Sequence, residues 1–177
     1  MRSRNIARCA LFSALMCLCA WISLPLGQNP ITLQTFALFL TLELLGGKYG
    51  SLVCLIYLLL GTVGLPVFSG FRGGLGMLLG STGGYLWGFL LCSLVFWLLT
   101  SLFGSSFPGR IAAYLAGLLL CYALGTAWFY YVFLRSESSL SLAFVLLKCV
   151  APFVVPDLIK LFLAFALGKR LKRFVAA

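Results

Sequence analysis

The sequence contains no histidine and only three acidic residues, and charged side chains make up 9% of its 177 residues. A soluble domain is roughly 25% charged, so this chain has too few polar groups to cover a water-facing surface. Hydrophobic residues make up 63% of it, which indicates an integral membrane protein. Because a spanning helix needs about 20 apolar residues, the length allows about six spans. We therefore expect a single membrane domain over residues 1–177.

These absences also argue against an enzyme. Without histidine, neither a Ser-His-Asp nor a Cys-His catalytic site can form. The seven cysteines include no CxxC pair, so we interpret them as small buried apolar residues and not as metal ligands. Gly46-Gly47-Lys48-Tyr49 resembles the end of a phosphate loop but lacks the preceding glycine and the following Ser or Thr. Catalysis would have to rely on Asp157, Lys160, Glu43 or a tyrosine. We predict no enzymatic activity, no metal and no cofactor.

The basic residues cluster at the two ends of the chain. The flanking clusters are Arg2, Arg4 and Arg8 before the first apolar run, and Lys169, Arg170, Lys172 and Arg173 after the last. Basic residues beside membrane spans stay in the cytoplasm, so both termini should be cytoplasmic and the number of spans even. Anchoring and attraction to anionic membrane lipid explain these clusters, and nucleic acid is not expected as a partner.

Six apolar segments predict an all-α bundle of six membrane spans. Their approximate bounds are residues 6–24, 31–45, 49–60, 84–102, 111–134 and 157–171. A short apolar helix ending near Val150 and a break at Pro152 and Pro156 should precede the last span. The first segment also resembles a secretory signal, but five more membrane segments follow it.

Three polar regions lie on the predicted outer side. In the first connection, Thr32 and Gln34 offer hydrogen-bonding groups, and Thr32 either caps a helix or contacts a ligand. The second connection, residues 61–84, holds nine of the nineteen glycines together with Phe68 and Arg72. Such a segment is either a packed lid or binding loop, or a plain linker. In a binding loop, glycine would let the main chain approach a ligand closely.

The third polar region is Pro156-Asp157-Leu-Ile-Lys160. Pro156 favours a helix start, Asp157 stands where a capping carboxylate belongs, and Lys160 shares its helix face. Ionisable groups at membrane depth usually face a cavity or a partner. The pair either fixes the helix end or binds a ligand that has both N–H donors and an acceptor. Together the three regions predict a mainly apolar small-molecule site that opens to the outside.

At these positions the sequence resembles the BioY family, the biotin-specific S components of energy-coupling factor (ECF) transporters. The matching stretches are Pro30-Ile-Thr-Leu-Gln34-Thr35, Gly64-Leu-Pro66-Val-Phe68, Gly83-Gly84-Tyr85 and Pro156-Asp157-Leu-Ile-Lys160. The resemblance covers nearly the whole chain. It implies a six-helix bundle in the plasma membrane that captures biotin from the outer face. The implied partners are a transmembrane T component and two cytoplasmic ATPases, which would supply the energy for biotin uptake.

The resemblance also implies a set of site residues. Those expected around biotin are Gln34, Tyr85, Asp157 and Lys160, and those expected in the covering loop are Phe68, Gly70, Gly73 and Gly74. The chain departs from the family pattern at Phe71-Arg72, where small residues are more usual. It departs again at Gly80-Ser81-Thr82-Gly83-Gly84, where the family usually reads Gly-Pro-Thr-Gly-Gly. Arg72 adds a cation at this point. The ureido N–H groups of biotin can donate to Asp157, and its ureido oxygen or its carboxylate can accept from Lys160 or Arg72, so the orientation of the ligand stays open.

The first span carries a candidate docking motif. Ala10 and Ala14 form a small-xxx-small pair, which lets another helix approach closely in lipid, and in S components such an alanine motif is where the T component docks. Three alternatives stay open at this point. They are a stand-alone biotin carrier without ATPase partners, an S component for another small vitamin, and a small membrane enzyme, which the absent catalytic sets disfavour.

Overall fold

The computed structural model describes residues 3–24, 30–134 and 142–176. Its helices are α1 Ser3–Trp21, α2 Gln34–Thr62, α3 Leu75–Leu79, α4 Gly83–Phe103, α5 Phe107–Leu134, α6 Leu142–Cys149 and α7 Ala151–Ala176. The chain is mostly helical, as expected. A small antiparallel pair, β1 Ser23–Leu24 and β2 Ile31–Thr32, was not predicted, because strands of two residues leave no periodic pattern. Arg2 and residues 25–29 of the first connection lie outside the described residues.

Four helical stretches in the described part of the chain are long and apolar enough to cross a membrane. They are Gln34–Thr62, Gly83–Phe103, Phe107–Leu134 and Val145–Arg173. Their outward surfaces carry large apolar side chains, including Leu119 at 67% exposure and Phe162 at 71%. Such an apolar surface is unfavourable in water but not in contact with lipid chains, so this exposure is typical of a membrane-embedded bundle.

Helix α2 reverses direction at Gly46. The backbone angles of Gly46, φ 74° and ψ 174°, are not helical, so they interrupt α2 at this residue. A positive φ of this kind favours glycine. Gln34 donates a hydrogen bond to the hydroxyl of Tyr57, although a straight helix would separate these residues by about 35 Å. The two arms, residues 34–45 and 47–62, are therefore antiparallel. The turn lies where the sequence predicted the second and third apolar segments to separate.

The bundle has one end rich in basic residues, here called the basic end. Asn5 donates from Nδ2 to the Tyr49 hydroxyl at 2.8 Å, which joins the start of α1 to the turn of α2. The Glu43 carboxylate accepts from Arg110 Nη1 at 2.7 Å and from Lys172 Nζ at 2.6 Å. These contacts join the turn region of α2 to the start of α5 and the end of α7. The polar residues of all three regions singled out above lie at the opposite end of the bundle.

Helices α4 and α5 pack along a glycine seam. A Cβ at Gly88 would lie 2.6 Å from Cys121 Sγ, and one at Gly117 would lie 2.9 Å from the Cys92 carbonyl oxygen. Small residues at a helix interface allow such close backbone approach and strengthen packing in lipid. The cysteines that face them, like the other five, are free and buried, in agreement with their interpretation as small core residues.

The last helix begins earlier than the sequence predicted. Helix α7 starts at Ala151, six residues before Asp157, and the interruption falls at Val150 instead of between the two prolines. Pro152 is the second helical residue, where a missing N–H costs little, and Pro156 is accommodated inside the helix. Asp157 is therefore the seventh residue of α7 and does not cap it.

We expect Gly117→Leu to lower the free energy of unfolding by about 1–3 kcal/mol, the usual effect of overpacking a close interface. The leucine side chain would collide with the backbone of α4 at Cys92. Thermal unfolding of the purified protein in detergent measures the change. Ala112→Leu on the same helix is the matched control, because Ala112 is exposed. Equal effects of the two variants would contradict the seam as a packing constraint.

Candidate substrate-binding site

A cavity of about 380 Å³ lies at the end of the bundle opposite the basic end. This volume falls within the roughly 300–1,000 Å³ typical of small-molecule sites. Its apolar walls include Phe68, Met77, Leu86, Phe89, Leu118 and Phe153. Its polar lining includes Thr32, Gln34, Thr35, Arg72, Thr82, Asp157 and Lys160. An apolar chamber with a limited number of polar groups in its wall suits a compact amphiphilic molecule.

The carboxylate of Asp157 is the centre of a buried polar network in the cavity wall. Its Oδ1 accepts from Thr35 Oγ1 at 2.7 Å and from Lys160 Nζ at 2.8 Å, and its Oδ2 accepts from the Tyr122 hydroxyl at 2.6 Å. Lys160 Nζ also donates to Thr35 Oγ1 at 3.0 Å. Asp157 and Lys160 are only 2% and 7% exposed. The network joins α2, α5 and α7, and its buried charges are matched in sign and hydrogen-bonded, as burial requires.

Gln34 belongs to a second polar chain. Its Oε1 accepts from Thr32 Oγ1 at 2.8 Å, its Nε2 donates to the Tyr57 hydroxyl, and that hydroxyl donates to the Val67 carbonyl at 3.2 Å. Thr32 Oγ1 also accepts from the backbone N–H of Gln34 at 3.3 Å. Thr32 thus makes a local helix-start contact and lines the cavity as well. This series of hydrogen bonds fixes the glycine-rich connection to both arms of α2.

Tyr85 closes the wall on the side of α5 and α6. Its hydroxyl lies 3.4 Å from Thr126 Oγ1 and 3.4 Å from the Cys149 carbonyl oxygen. Its ring packs on Gly125, where a Cβ would lie 2.2 Å from the ring. The glycine in α5 therefore leaves the space that the tyrosine ring occupies.

The glycine-rich connection is a packed loop over the cavity. Helices α2 and α4 shorten it to residues 63–82, and it contains α3. Phe68 is 1% exposed, and its ring packs on Gly61 and meets the Tyr57 ring edge-on at 5.5 Å. The backbone N–H of Phe68 donates to the Arg72 carbonyl at 2.9 Å, which closes a tight turn. A plain linker would not bury an aromatic anchor in this way.

The end of α1 holds this turn. Phe71 has φ 56°, a conformation uncommon for a residue with a side chain, and its ring stacks on Trp21 at 4.9 Å. Trp21 Nε1 also donates to the Pro66 carbonyl at 2.8 Å. The aromatic pair and this hydrogen bond stabilise the positive φ at Phe71. Phe71, which stands where the family usually has a small residue, therefore couples the loop to α1.

Two predicted loop residues shape the loop rather than the cavity wall. A Cβ at Gly73 would lie 2.1 Å from the Leu65 carbonyl oxygen, so the backbone approach there requires glycine. Gly74 has φ 93°, and its N–H donates to the Gly61 carbonyl at 2.7 Å. Gly70, in contrast, lines the cavity.

Arg72 stands at the exposed rim of the cavity. Its guanidinium side chain lines the chamber beside Gly70, and the residue is exposed. Within the described residues it forms no ion pair. The site therefore combines a buried, neutralised Asp157–Lys160 pair with one available cation at its mouth.

The sequence model of the BioY family matches residues 1–177. The chain belongs to the BioY family. Among relatives of this BioY family member, the biotin transporter BioY of Thermotoga maritima is 44% identical over 170 residues, covering 96% of each chain. The probable biotin transporter BioY of Pyrococcus horikoshii is 37% identical over 172 residues, covering 97% of this chain and 98% of the relative. These relatives are transporters, in agreement with the expectation of a non-enzymatic protein.

Solved structures support the same assignment. The crystal structure of the S component for biotin from an ECF-type ABC transporter matches with a TM-score of 0.81 and 26% identity, covering 96% of this chain and 90% of that one. The S component of a bacterial ECF transporter matches with a TM-score of 0.65 and 14% identity, which is a likeness of fold alone. Together with the four apolar helices, the family makes this chain a multi-pass protein of the cell membrane.

The structure brings together most of the site residues predicted for this BioY family member. Those that line one cavity are Gln34, Phe68, Gly70, Arg72, Tyr85, Asp157 and Lys160. The prediction omitted Thr35 and Tyr122, the two hydroxyl donors to Asp157. A signal for Tyr122 existed, because Tyr122 and Thr126 are four residues apart and share one face of an apolar helix.

We expect Tyr122→Phe to lower the free energy of unfolding by about 1.5–3 kcal/mol, the usual contribution of a hydrogen bond to a charged group. The variant leaves Asp157 Oδ2 without its donor. Thermal unfolding in the absence of ligand measures the change. Tyr130→Phe removes an α5 hydroxyl outside this network and should have little effect. A fully stable Tyr122→Phe protein would contradict the role of this hydrogen bond.

Proposed function

We propose that this chain is the biotin-binding S component of an ECF-type ABC transporter, which captures biotin from the outer face of the plasma membrane. The observation that carries the proposal is the cavity with its buried network of Asp157, Lys160, Thr35 and Tyr122. The relatives named biotin transporters and the matching S component for biotin support biotin as the ligand.

The chemistry of the cavity supports one orientation of biotin. The ureido ring is neutral and offers both N–H donors and a carbonyl acceptor, so it suits the Asp157–Lys160 pair, whose charges cancel. The biotin carboxylate carries a charge that is costly to bury without a partner. At the exposed rim, Arg72 offers such a partner while the carboxylate stays close to water. The valeryl chain and thiophane ring would then contact the apolar walls.

We further propose six membrane crossings with both termini in the cytoplasm. The reversal at Gly46 supports two crossings within α2, although its arms of 12 and 16 residues would be short, at about 18 Å and 24 Å. The clustering of Arg110, Lys172 and the turn of α2 at the basic end supports placing that end in the cytoplasm. The cavity would then open toward the outside.

The proposed partners are a T component and two cytoplasmic ATPases. A chain without a complete phosphate loop needs another subunit to couple uptake to ATP. Ala10 and Ala14 are both exposed on one face of α1, as a docking surface for the T component requires. The surrounding exposed residues on this helix, Ile6, Leu11 and Leu18, are apolar and suited to helix packing in lipid.

Biotin titration of the purified protein tests the substrate and the site together. We expect saturable binding that Asp157→Asn and Lys160→Met each weaken by at least tenfold, because each change removes a charged group that would hydrogen-bond to the ureido ring, and such a hydrogen bond contributes about 1.5–3 kcal/mol. Isothermal titration calorimetry in detergent measures the affinity, and thermal unfolding reports the folded fraction.

Glu43→Gln and Lys172→Met are the matched controls for that titration. Glu43 is a buried, ion-paired carboxylate like Asp157, but it lies at the basic end. These variants should lose stability while the folded fraction binds biotin normally. Absence of biotin binding by well-folded wild-type protein would refute the proposed substrate. Equal weakening by both pairs of variants would refute the proposed site.

The orientation of biotin is tested by comparing biotin with its neutral amide. We expect Arg72→Ala to weaken binding of biotin about fivefold, the size of an exposed ion pair of about 1 kcal/mol. The same substitution should leave binding of biotin amide unchanged, because the amide carries no charge. Lys48→Ala removes an exposed cation near the turn of α2 and should affect neither ligand. An equal loss for biotin and its amide would contradict a contact between Arg72 and the carboxylate.

A further inference from the structure

A second cavity lies between α5 and α7 near the basic end. Its volume is about 670 Å³, larger than the candidate biotin cavity, and none of its lining residues is shared with that site. The wall is mainly apolar and includes Ile111, Leu158, Phe162 and Phe165. Leu158 and Phe162 are 44% and 71% exposed, so this groove opens toward the lipid rather than into the bundle.

One part of the groove carries an excess of positive charge. Arg110, Lys169 and Lys172 line it together with one carboxylate, that of Glu43. Glu43 is 7% exposed and already bonded to Arg110 and Lys172. Lys169 is exposed and forms no ion pair within the described residues. Three cations against one buried carboxylate leave a net charge of about two positive units at the groove.

The groove also meets the start of α5. Phe107, the first residue of α5, lines the groove, and its ring packs on Phe165 at 5.6 Å. The guanidinium of Arg110 lies over the same Phe165 ring at 5.7 Å. The apolar surface and the cationic groups therefore adjoin each other at Phe165. A ligand that fills both parts must be amphiphilic and carry a negative charge beside its apolar chain.

We propose that this groove binds one anionic phospholipid, with an acyl chain along the apolar wall and the phosphate beside Lys169 and Lys172. The lipid surface of α5 and α7 supplies such molecules directly, and basic pockets between spanning helices are suited to their headgroups. A free phosphate ion would leave the apolar wall unused. A zwitterionic headgroup brings its own cation to a groove that already has an excess of them.

Native mass spectrometry of the purified protein with added phosphatidylglycerol or phosphatidylcholine tests the headgroup. We expect the wild type to retain phosphatidylglycerol in preference to phosphatidylcholine. Lys169→Gln should weaken phosphatidylglycerol retention about fivefold, the effect of one cation beside an anionic headgroup. Arg170→Gln is the matched control, because Arg170 is an exposed neighbour that does not line the groove. Equal losses in both variants, or equal retention of the two lipids, would overturn the proposal.

A second pair of variants tests the acyl chain. Ala166→Trp fills the groove, whereas Leu167→Trp places the same ring at a neighbouring position outside its lining. Only the first should reduce phosphatidylglycerol retention, while thermal unfolding shows that both variants remain folded. Inorganic phosphate supplies the headgroup charge without the chain. Lys169-dependent binding of phosphate, combined with no effect of Ala166→Trp, would identify an ion site and contradict a lipid site.

Discussion

The buried carboxylate of Asp157 is the constraint on which the candidate site depends. An ionised group inside a membrane protein is unfavourable by several kcal/mol unless it is paired and hydrogen-bonded. Thr35 from α2, Tyr122 from α5 and Lys160 from α7 meet this requirement together. Because the three partners come from different helices, satisfying the carboxylate also fixes how those helices stand around the cavity.

The glycine-rich loop completes the chamber by a different physical means. Its glycines allow backbone approaches that a side chain would block, as at Gly73 against the Leu65 carbonyl. Aromatic residues then hold the loop in place, since Phe68 is buried against α2 and Phe71 stacks on Trp21. Glycine gives a loop much backbone freedom, and these aromatic contacts restrict it. Its closure over a cavity suits the proposed retention of biotin.

The two ends of the bundle use buried charge differently. At the cavity end, Asp157 and Lys160 neutralise each other and leave hydrogen-bonding capacity suited to a neutral polar ring. At the basic end, Glu43 is bonded to Arg110 and Lys172, and positive charge remains in excess. The first arrangement favours recognition of a small polar group, whereas the second favours anionic surroundings. Both carboxylates hold helices together, yet they create different surfaces.

Much of the architecture was predictable from local signals. The apolar segments predicted a helical membrane protein, and the gap between the second and third segments coincides with the turn of α2 at Gly46. Pro156-Asp157-Leu-Ile-Lys160 indicated charge at membrane depth. The start of α7 was not predicted, because proline is tolerated in the first turn of a helix and does not mark its beginning uniquely. The β1–β2 pair was missed because pairing of two-residue strands depends on contacts between separate segments.

The sequence alone determined that this chain lies in a membrane, lacks histidine-based chemistry and carries the motifs of its family, because these follow from residue identity and spacing. Only the tertiary structure decided that Thr35 and Tyr122 bind Asp157, that Gly73 shapes the loop over the cavity, and that Phe71 stacks on Trp21. Such pairs are distant along the chain. Their contacts arise from helix packing, which no local periodicity specifies.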